Sequence, residues 1–280
     1  MQPFRHILFP VDFSDRCRAI QPMVEAMARK FDSRVTIMHV PQIPTAWYGG
    51  MEVAYPAVFD LPAIEEEARQ QLRRVYDFAQ PGESLNVKEV VKHGDPATSI
   101  TDYAENNGVD LVMMPTHGVG KMRRFLLGSV TAKVLHDAKC PVWTVGSADN
   151  VVLHARQQLA TILCAVDTTP ESLDIIRWGS WLASEFQAKL RLVYAAPSGS
   201  SDSAAKVNEF FRVLAQPAGE AITDVHIGKG SVTQVVCTAA LEHKADLIVA
   251  GRGRMHETFG RLRTNSYAII RDAPCPVLSV

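Results

Sequence analysis

From Asp110 to Val145 the chain reads DLVMMPTHGVGKMRRFLLGSVTAKVLHDAKCPVWTV. An apolar run from Leu111 to Met114 precedes a loop that carries Gly118 and ends at the pair Gly128-Ser129. A helical pattern follows, and a second apolar run closes the stretch. This order predicts a strand, a glycine-bearing loop, a helix and another strand, which together present unpaired backbone N–H groups at a helix N-terminus. Such a terminus can hold an anion.

The residue types of this loop also favour anion binding. Gly118 and Gly128 carry no Cβ, so the backbone at both positions can approach a ligand closely. Ser129 and Thr131 add two hydroxyl groups as candidate donors. A simpler interpretation is that Gly128 and Ser129 only start a helix and that Asp12, at the end of the first apolar run, is only a cap. We favour binding, because a cap alone does not require glycine at both ends of the loop.

The chain contains two copies of one pattern. The opening ILFPVDFSD, from Ile7 to Asp15, recurs as ILCAVDTTP, from Ile162 to Pro170. DLVMMP recurs as DLIVAG, and HDAKCPVWTV recurs as RDAPCPVLSV. A repeat of about half the chain indicates two copies of one domain and not a short-period solenoid. We therefore predict domains at residues 1–147 and 156–280.

Strands alternate with helices in each copy. The predicted elements of the first copy are strands at residues 5–12, 35–40 and 85–92, helices capped by Ser14 and Asp95, and a helix with its apolar stripe on Ile64, Ala68, Leu72, Val75 and Ala79. Residues 41–62, rich in proline and glycine, are predicted to be irregular. In the second copy, Thr169-Pro170 is predicted to open a helix and Ser231 to cap another.

This alternation predicts an α/β fold with two tandem, doubly wound, open parallel sheets covered by helices on both faces. Ligands of such sheets bind beyond the carboxyl ends of the strands, where the strand order reverses. Asp12 and the glycine-bearing loop both follow strand ends, so we expect them to face one pocket.

Composition narrows the functional classes. The chain has 280 residues, 47% hydrophobic and 21% charged, with a net charge of −1, which gives no electrostatic case for a nucleic-acid or membrane partner. No apolar stretch approaches the roughly 20 residues of a membrane span, and the first residues lack the apolar segment of a secretory signal, so we expect a cytoplasmic protein. The five scattered cysteines predict neither a disulfide framework nor a metal site.

The chain resembles the universal stress protein family in four stretches that follow the family's order: Ile7-Leu8-Phe9-Pro10-Val11-Asp12, Pro115-Thr116-His117, Gly118-x9-Gly128-Ser129 and Cys140-Pro141-Val142. Nucleotide-binding members of that family carry G-x2-G-x9-G-[S/T], and here Pro115 stands at the first glycine. The resemblance implies a five-stranded, Rossmann-like sheet of the adenine-nucleotide α-hydrolase-like type, whose first and fourth strands flank a nucleotide pocket.

The resemblance also implies a ligand, ATP or another adenine nucleotide, with Mg2+ as an optional companion ion. The site residues that it implies are Pro10, Val11, Asp12 and Val40 at the adenosine end, Met114 and Pro115 at the strand end, and His117, Gly118, Gly128, Ser129, Val130 and Thr131 at the phosphate end. Proline has no N–H to donate, so we expect weaker or more selective binding than in members with glycine there. The loop cations Lys121, Arg123 and Arg124 could approach a triphosphate, although a solvated basic face is the simpler interpretation of each.

The second copy departs from the nucleotide-binding pattern. Counting back from Cys275 places Arg263 and Thr264 where the first copy has Gly128-Ser129, whereas counting forward from Asp246 places Thr264 and Asn265 there. Under both alignments the glycine is lost, so we predict a degenerate second site. Its residues are Asp167, Gly251, Gly253, Arg263 and Thr264. A competing hypothesis is that Arg252, Arg254 and Arg263 bind a different anion.

The final strands of the copies, Cys140–Val145 and Cys275–Val280, would be exposed sheet edges. The resemblance implies that they pair within the chain as a pseudo-dimer, and it leaves open whether two chains also form a homodimer. We expect a regulatory binding module with unknown protein partners and no catalytic residues. The alternatives are a slow ATP-hydrolysing enzyme and a structural scaffold without nucleotide; the loop from Pro115 to Ser129 contains no Asp or Glu that could serve hydrolysis.

Overall fold

A computed structural model gives the fold of the chain and describes residues 3–41, 46–48, 51–53, 60–76, 78–80, 83–117, 127–146, 159–197, 204–215, 225–252 and 265–280. The elements of the N-terminal half are β1 (His6–Val11), α1 (Asp15–Phe31), β2 (Arg34–His39), β3 (Ala46–Tyr48), β4 (Met51–Val53), α2 (Leu61–Val75), β5 (Ala79–Gln80), β6 (Glu83–Ser84), β7 (Val87–Val91), α3 (Pro96–Asn106), β8 (Leu111–Pro115), α4 (Ser129–Asp137) and β9 (Val142–Val145).

The C-terminal half repeats the same order of main elements. They are β10 (Thr161–Val166), α5 (Ser172–Phe186), β11 (Lys189–Ala196), α6 (Ala204–Ala215), β12 (Val225–Lys229), α7 (Val232–Glu242), β13 (Leu247–Ala250), α8 (Asn265–Asp272) and β14 (Val277–Ser279).

The main strands form one ten-stranded sheet in the order β12-β11-β10-β13-β14-β9-β8-β1-β2-β7. Within each half all neighbours are parallel, and the first main strand lies beside the fourth, β1 beside β8 and β10 beside β13. The halves meet through an antiparallel pair formed by their last strands, β9 and β14. The predicted α/β fold, the parallel sheets and the pairing through the last strands are confirmed.

Helices cover both faces of this sheet. The helices α1, α2, α5 and α6 bury their apolar sides on one face, and α3, α4, α7 and α8 on the other. Each of the two apolar cores runs through both halves. On the first face Phe4 and Phe31 of the N-terminal half pack against Trp178 and Trp181 of the C-terminal half, with ring centroids 5.1–5.5 Å apart. The halves are therefore joined by core packing as well as by the sheet.

Helix caps were predictable from single residues. Ser14 accepts from the Cys17 N–H, Asp95 from the Thr98 N–H and Ser231 from the Gln234 N–H, which confirms the three predicted N-caps.

Other predicted boundaries are wrong. α2 ends at Val75, so Ala79 belongs to β5 and not to the helical stripe. α5 begins at Ser172 and not at Thr169-Pro170, because the Asp167 carboxylate accepts from both the Thr169 N–H and the Ser172 hydroxyl and holds a turn before the helix. Within the stretch 41–62, β3 and β4 pair antiparallel. Short runs on either side of adjacent glycines are a hairpin signal, and the proline count of this stretch obscured it.

Candidate functional site

A cavity of about 620 Å³ lies beyond the carboxyl ends of β1, β2 and β8, at the point where the strand order reverses. Every predicted first-site residue that the structure describes lines it: Pro10, Val11, Asp12, Val40, Met114, Pro115, His117, Gly128, Ser129, Val130 and Thr131. Gly118 and the loop cations Lys121, Arg123 and Arg124 lie outside the described residues.

Five further residues line the cavity and were missed by sequence reasoning: Cys17, Met38, His39, Pro96 and Ile100. Met38 and His39 end β2, and the parallel register places His39 beside Val11. A signal for them existed, because β2 borders β1 and its carboxyl end must open onto the same crevice.

Asp12 forms one wall of the cavity and also supports helix α1. Its Oδ1 accepts from the Ser14 N–H at 3.1 Å and from the Cys17 thiol at 3.1 Å. Burial, and next the Asp12 charge, raise the pKa of the Cys17 thiol to about 12, so this thiol is neutral at physiological pH. The carboxylate is thus held in a fixed position at the edge of the cavity.

His39 closes the cavity beside Val11. Its Nδ1 lies 2.8 Å from the Val11 carbonyl oxygen, and its ring centroid is 4.4 Å from that of Phe13. Burial lowers the pKa of His39, so the ring is neutral at pH 7 and donates from Nδ1 to the carbonyl. This contact fixes the ends of β1 and β2 against each other.

The first turn of α4 also lines the cavity. Gly128 is its N-cap and offers no side chain to accept from the turn's amides. The amides of Ser129, Val130 and Thr131 are the ones that no intrahelical carbonyl reaches. All three residues line the cavity, so the positive end of the helix dipole borders it. An anion held there would receive backbone N–H donors.

The Thr131 side chain does not act as predicted. Its hydroxyl donates to the Pro115 carbonyl oxygen at 3.1 Å, and the residue is buried. The hydroxyl therefore ties α4 to the end of β8 and cannot also donate to a ligand. The prediction of a ligand-donating Thr131 hydroxyl is corrected; its backbone amide and the exposed Ser129 still border the cavity.

Gly128 has a packing reason for being glycine. Its N–H donates to the Thr116 carbonyl oxygen at 2.9 Å, which brings the loop end against the end of β8. A Cβ at Gly128 would lie 3.2 Å from that oxygen and 3.4 Å from the Cα of His117. The glycine thus permits close approach of two backbone segments, in addition to any approach of a ligand.

His117 lines the cavity and has a ring nitrogen that is unpaired among the described residues. Its Nδ1 shares a hydrogen bond with the Thr116 hydroxyl at 3.0 Å, while its buried Nε2 has no hydrogen-bond partner among the described residues. Burial, and next the positive charge of Arg16, lower the pKa of His117. A buried polar atom without a partner is costly, and a ligand acceptor would satisfy it.

The C-terminal half settles which of its two alignments is correct. The Ser266 hydroxyl donates to the Gly251 carbonyl oxygen at 2.7 Å, as the Thr131 hydroxyl does to Pro115. Ser266 is thus the counterpart of Thr131, and counting back by three residues assigns Arg263 to the position of Gly128. Gly253, Arg254, Arg263 and Thr264 themselves lie outside the described residues.

The remaining residues of the second site have local partners. Asp167 accepts from Thr169 and Ser172, as described above, and is exposed. Arg252 turns towards the other half, where its guanidinium donates to the carbonyl oxygens of Ala138 and Cys140. These contacts argue against the hypothesis that Arg252 binds an anion, because both Nη groups donate to carbonyl oxygens just after α4.

Within the described residues, Asp12 is the one carboxylate that lines the cavity. Its Oδ1 accepts from Ser14, the N-cap of α1, and from Cys17 in the first turn of that helix. No helix among the described residues is both long and apolar enough to cross a bilayer.

Comparison with known proteins agrees with this fold. A model of the universal stress protein family matches residues 3–146 and 159–280. Universal stress protein MJ0531 of Methanocaldococcus jannaschii is 28% identical over 142 residues, which cover 51% of this chain and 82% of the relative. Universal stress protein A homolog 1 of Coxiella burnetii is 30% identical over 145 residues, which cover 51% of this chain and 96% of the relative. Each relative thus aligns with about half of this chain.

A solved structure extends the likeness over both halves. The crystal structure of a universal stress protein from Archaeoglobus fulgidus superposes with a TM-score of 0.73 and 22% identity, covering 98% of this chain and 95% of that protein. At this level of identity the likeness establishes the fold alone.

Proposed function

Because the chain belongs to the universal stress protein family, with one family domain in each half, we propose that it binds ATP or another adenine nucleotide in its N-terminal half. It acts as a regulatory binding module of the stress response, through contacts with protein partners that depend on nucleotide occupancy. The observation that carries this proposal is one cavity with two unlike sides: uncapped helix amides on one side and the fixed Asp12 carboxylate on the other.

The two sides suit the two ends of a nucleotide. The Asp12 carboxylate accepts from a ribose hydroxyl or an adenine amine, while Pro10, Val11 and Val40 contact the adenosine. The first-turn amides of α4, with Ser129 and His117, hold the phosphates, and Gly118 lies in the loop between. Mg2+ accompanies a triphosphate without a dedicated protein ligand.

Met114 and Pro115 form the strand end between the two sides. Pro115 supplies no N–H where the nucleotide-binding pattern has glycine, and its carbonyl oxygen is already paired with Thr131. The affinity is therefore lower than that of a family domain with glycine at this position.

The C-terminal half is a structural partner with a degenerate site. The Ser266 contact supports aligning Arg263 with Gly128 in the sequence. We propose that the Cβ and cationic side chain of an arginine at this position exclude phosphate. Asp167 is held by its own turn, and Gly251, Gly253 and Thr264 complete the degenerate site. The proposed extents of the two domains are residues 1–147 and 156–280.

Catalysis is not part of the proposal. Hydrolysis of ATP requires a base that positions water near the γ-phosphate, and the carboxylate of the described cavity wall, Asp12, lies on the adenosine side. The proposed location is the cytoplasm, with neither nucleic acid nor membrane as a partner. The intrachain pseudo-dimer is the functional unit, whether or not two chains associate.

Calorimetric titration with ATP, ADP, AMP and cyclic AMP tests the proposal. We expect one equivalent of adenine nucleotide per chain, and crystals soaked in nucleotide should show it in the N-terminal cavity. No heat with any of the four, or density only in the C-terminal half, would contradict it. Phosphate release at the background rate distinguishes the binding module from a slow ATPase.

A further inference from the structure

Two histidines and a glutamate of the C-terminal half come together far from the nucleotide cavity. His226 lies on β12, Glu242 is the last residue of α7, and His243 is that helix's C-cap. One ligand atom from each of the three lies within 4.8 Å of the other two. We propose that these side chains form a binding site for a divalent transition-metal ion of the zinc class. The proposal is independent of nucleotide binding.

The fold explains why these residues meet. A crossover helix runs antiparallel to the strands that it connects, so the C-terminus of α7 returns to the end of the sheet where β12 begins. The imidazole of His226 lies on the face that α7 covers, because its register partner Val193 belongs to the core on that face. The cluster is therefore at the amino ends of the strands, opposite the end where nucleotide pockets form.

The distance between the histidines fits a shared metal. Nε2 of His243 lies 3.4 Å from Nδ1 of His226, and the two rings are nearly perpendicular at 84°. Two nitrogens at about 2.0–2.1 Å from a tetrahedral zinc are separated by about 3.3 Å. A direct hydrogen bond between the two rings would also be a long one at this distance. The observed separation therefore allows both nitrogens to bind one ion without a large movement of either ring.

The ligand types and the charges favour the same class of ion. Two imidazoles and one carboxylate are a common set for zinc and neighbouring divalent metals, and they leave one position for water. The negative end of the α7 dipole adds to the Glu242 charge and favours a cation. Glu242 is exposed, so its side chain can move to the ion, while both histidines are half-buried.

The N-terminal half provides an internal comparison. Asp110 and Asp246 are counterparts, because each accepts from two N–H groups at the start of the first strand of its half. Counting back from them assigns Asn106 and Asn107 to the positions of Glu242 and His243, and Val90 to that of His226. The cluster is thus a feature of the C-terminal half, and the replacements that remove it already occur in the same fold.

These replacements define the experiment. The full-length protein is titrated with Co2+ by visible absorption, which intensifies when cobalt becomes four-coordinate, and Zn2+ is used as the competitor. We expect one equivalent of cobalt, displaced by zinc. Loss of an outer-shell partner of a metal ligand lowers metal affinity by roughly 10- to 100-fold. Loss of a ligand itself should cost at least as much, so cobalt affinity should fall by at least this factor in His226→Val and in His243→Asn.

The matched control is His93→Ala, which removes a histidine that lies 3.9 Å from the Glu65 carboxylate but belongs to no three-ligand cluster of the described residues. Its cobalt affinity should equal that of the parent. Absence of a four-coordinate spectrum, parental affinity in His226→Val, or an equal loss in His93→Ala would each overturn the proposal. Should either histidine variant unfold, Glu242→Gln replaces it: the exposed change should leave urea unfolding unaltered and weaken cobalt binding, and unchanged affinity would overturn the three-ligand site.

Discussion

Trp143 of the N-terminal half lies directly opposite Leu278 of the C-terminal half across the antiparallel pair of β9 and β14. Each is the third residue after the cysteine that precedes its strand, so they hold equivalent positions in the two copies. A pseudo-twofold axis therefore passes through this pair. Their exposed fractions are 1% and 0%, which makes the junction of the halves a part of the core.

Shortening the side chain of Trp143 should destabilise the whole molecule. Trp143→Ala removes the largest fully buried side chain of the described residues and should lower the free energy of unfolding by roughly 3–5 kcal/mol. The measurement is urea unfolding followed by circular dichroism. Leu241→Ala, at a side chain that is 65% exposed, is the control and should change stability by less than about 0.5 kcal/mol. Equal midpoints for the two variants would contradict the assigned role of the junction.

Arg252 should stabilise the contact between halves without affecting the ligand. Arg252→Met leaves the carbonyl oxygens of Ala138 and Cys140 without these donors, at a cost of roughly 1–3 kcal/mol each. Nucleotide affinity, measured by calorimetry, should remain at the parental value. Arg271→Ala breaks an exposed ion pair with Asp272 and should cost less than about 1 kcal/mol. Unchanged stability in Arg252→Met would contradict the assigned role of Arg252 in joining the halves.

Any side chain at Gly128 should lower the stability of the protein. Gly128→Ala places a Cβ 3.2 Å from the Thr116 carbonyl oxygen and should cost roughly 1–3 kcal/mol in unfolding free energy. Gly128→Arg, which imports the residue of the second copy, should in addition abolish nucleotide binding in calorimetry. The control is Gly146→Ala, whose Cβ would lie 4.0 Å from its nearest neighbour. Measurable ATP binding by folded Gly128→Arg would remove the α4 terminus from the site.

Asp12 and its counterpart Asp167 should differ in their effect on binding. Asp12→Ala removes a charged acceptor worth roughly 1.5–3 kcal/mol, so ATP affinity should fall by about 10- to 100-fold. Asp167→Ala, the matched change in the other half, should leave affinity unaltered. Both variants lose turn contacts of similar kind, so the comparison separates ligand binding from local stability. Equal affinities in the two variants would exclude Asp12 from the site.

Nucleotide affinity should depend on pH through His117. Burial and Arg16 lower the pKa of the free protein's His117, whereas a phosphate at Nε2 would raise it. Binding therefore takes up a proton, and affinity increases as pH falls through the window between the bound and the free pKa, by about tenfold for each unit that separates them. His117→Gln should remove this part of the slope while the nucleotide's own titration remains. Calorimetric titrations with nucleotide in buffers of different ionisation enthalpy measure the protons taken up on binding. His117→Gln should take up fewer protons than the parent protein.

The repeat and the alternation of strands and helices were sufficient to predict the fold, because hydrophobic period and caps are local properties. Asp12 and Gly128 could be placed on one cavity from motif spacing. Pro96 and Ile100 could not, since their positions depend on how α3 packs against the sheet. The partners of Arg252 could not be predicted from the sequence either, because the carbonyl groups that it contacts lie more than a hundred residues away.

The junction between β9 and β14 has a consequence for how the two copies can diverge. If the two halves were separate chains, the β9–β14 pair would form only at a high enough protein concentration. Within one polypeptide the partner strand is always present at a high effective concentration. Dilution therefore cannot separate the lobes. The C-terminal half can therefore lose nucleotide binding and acquire a different ligand site, provided that β14 keeps the residues that face Trp143.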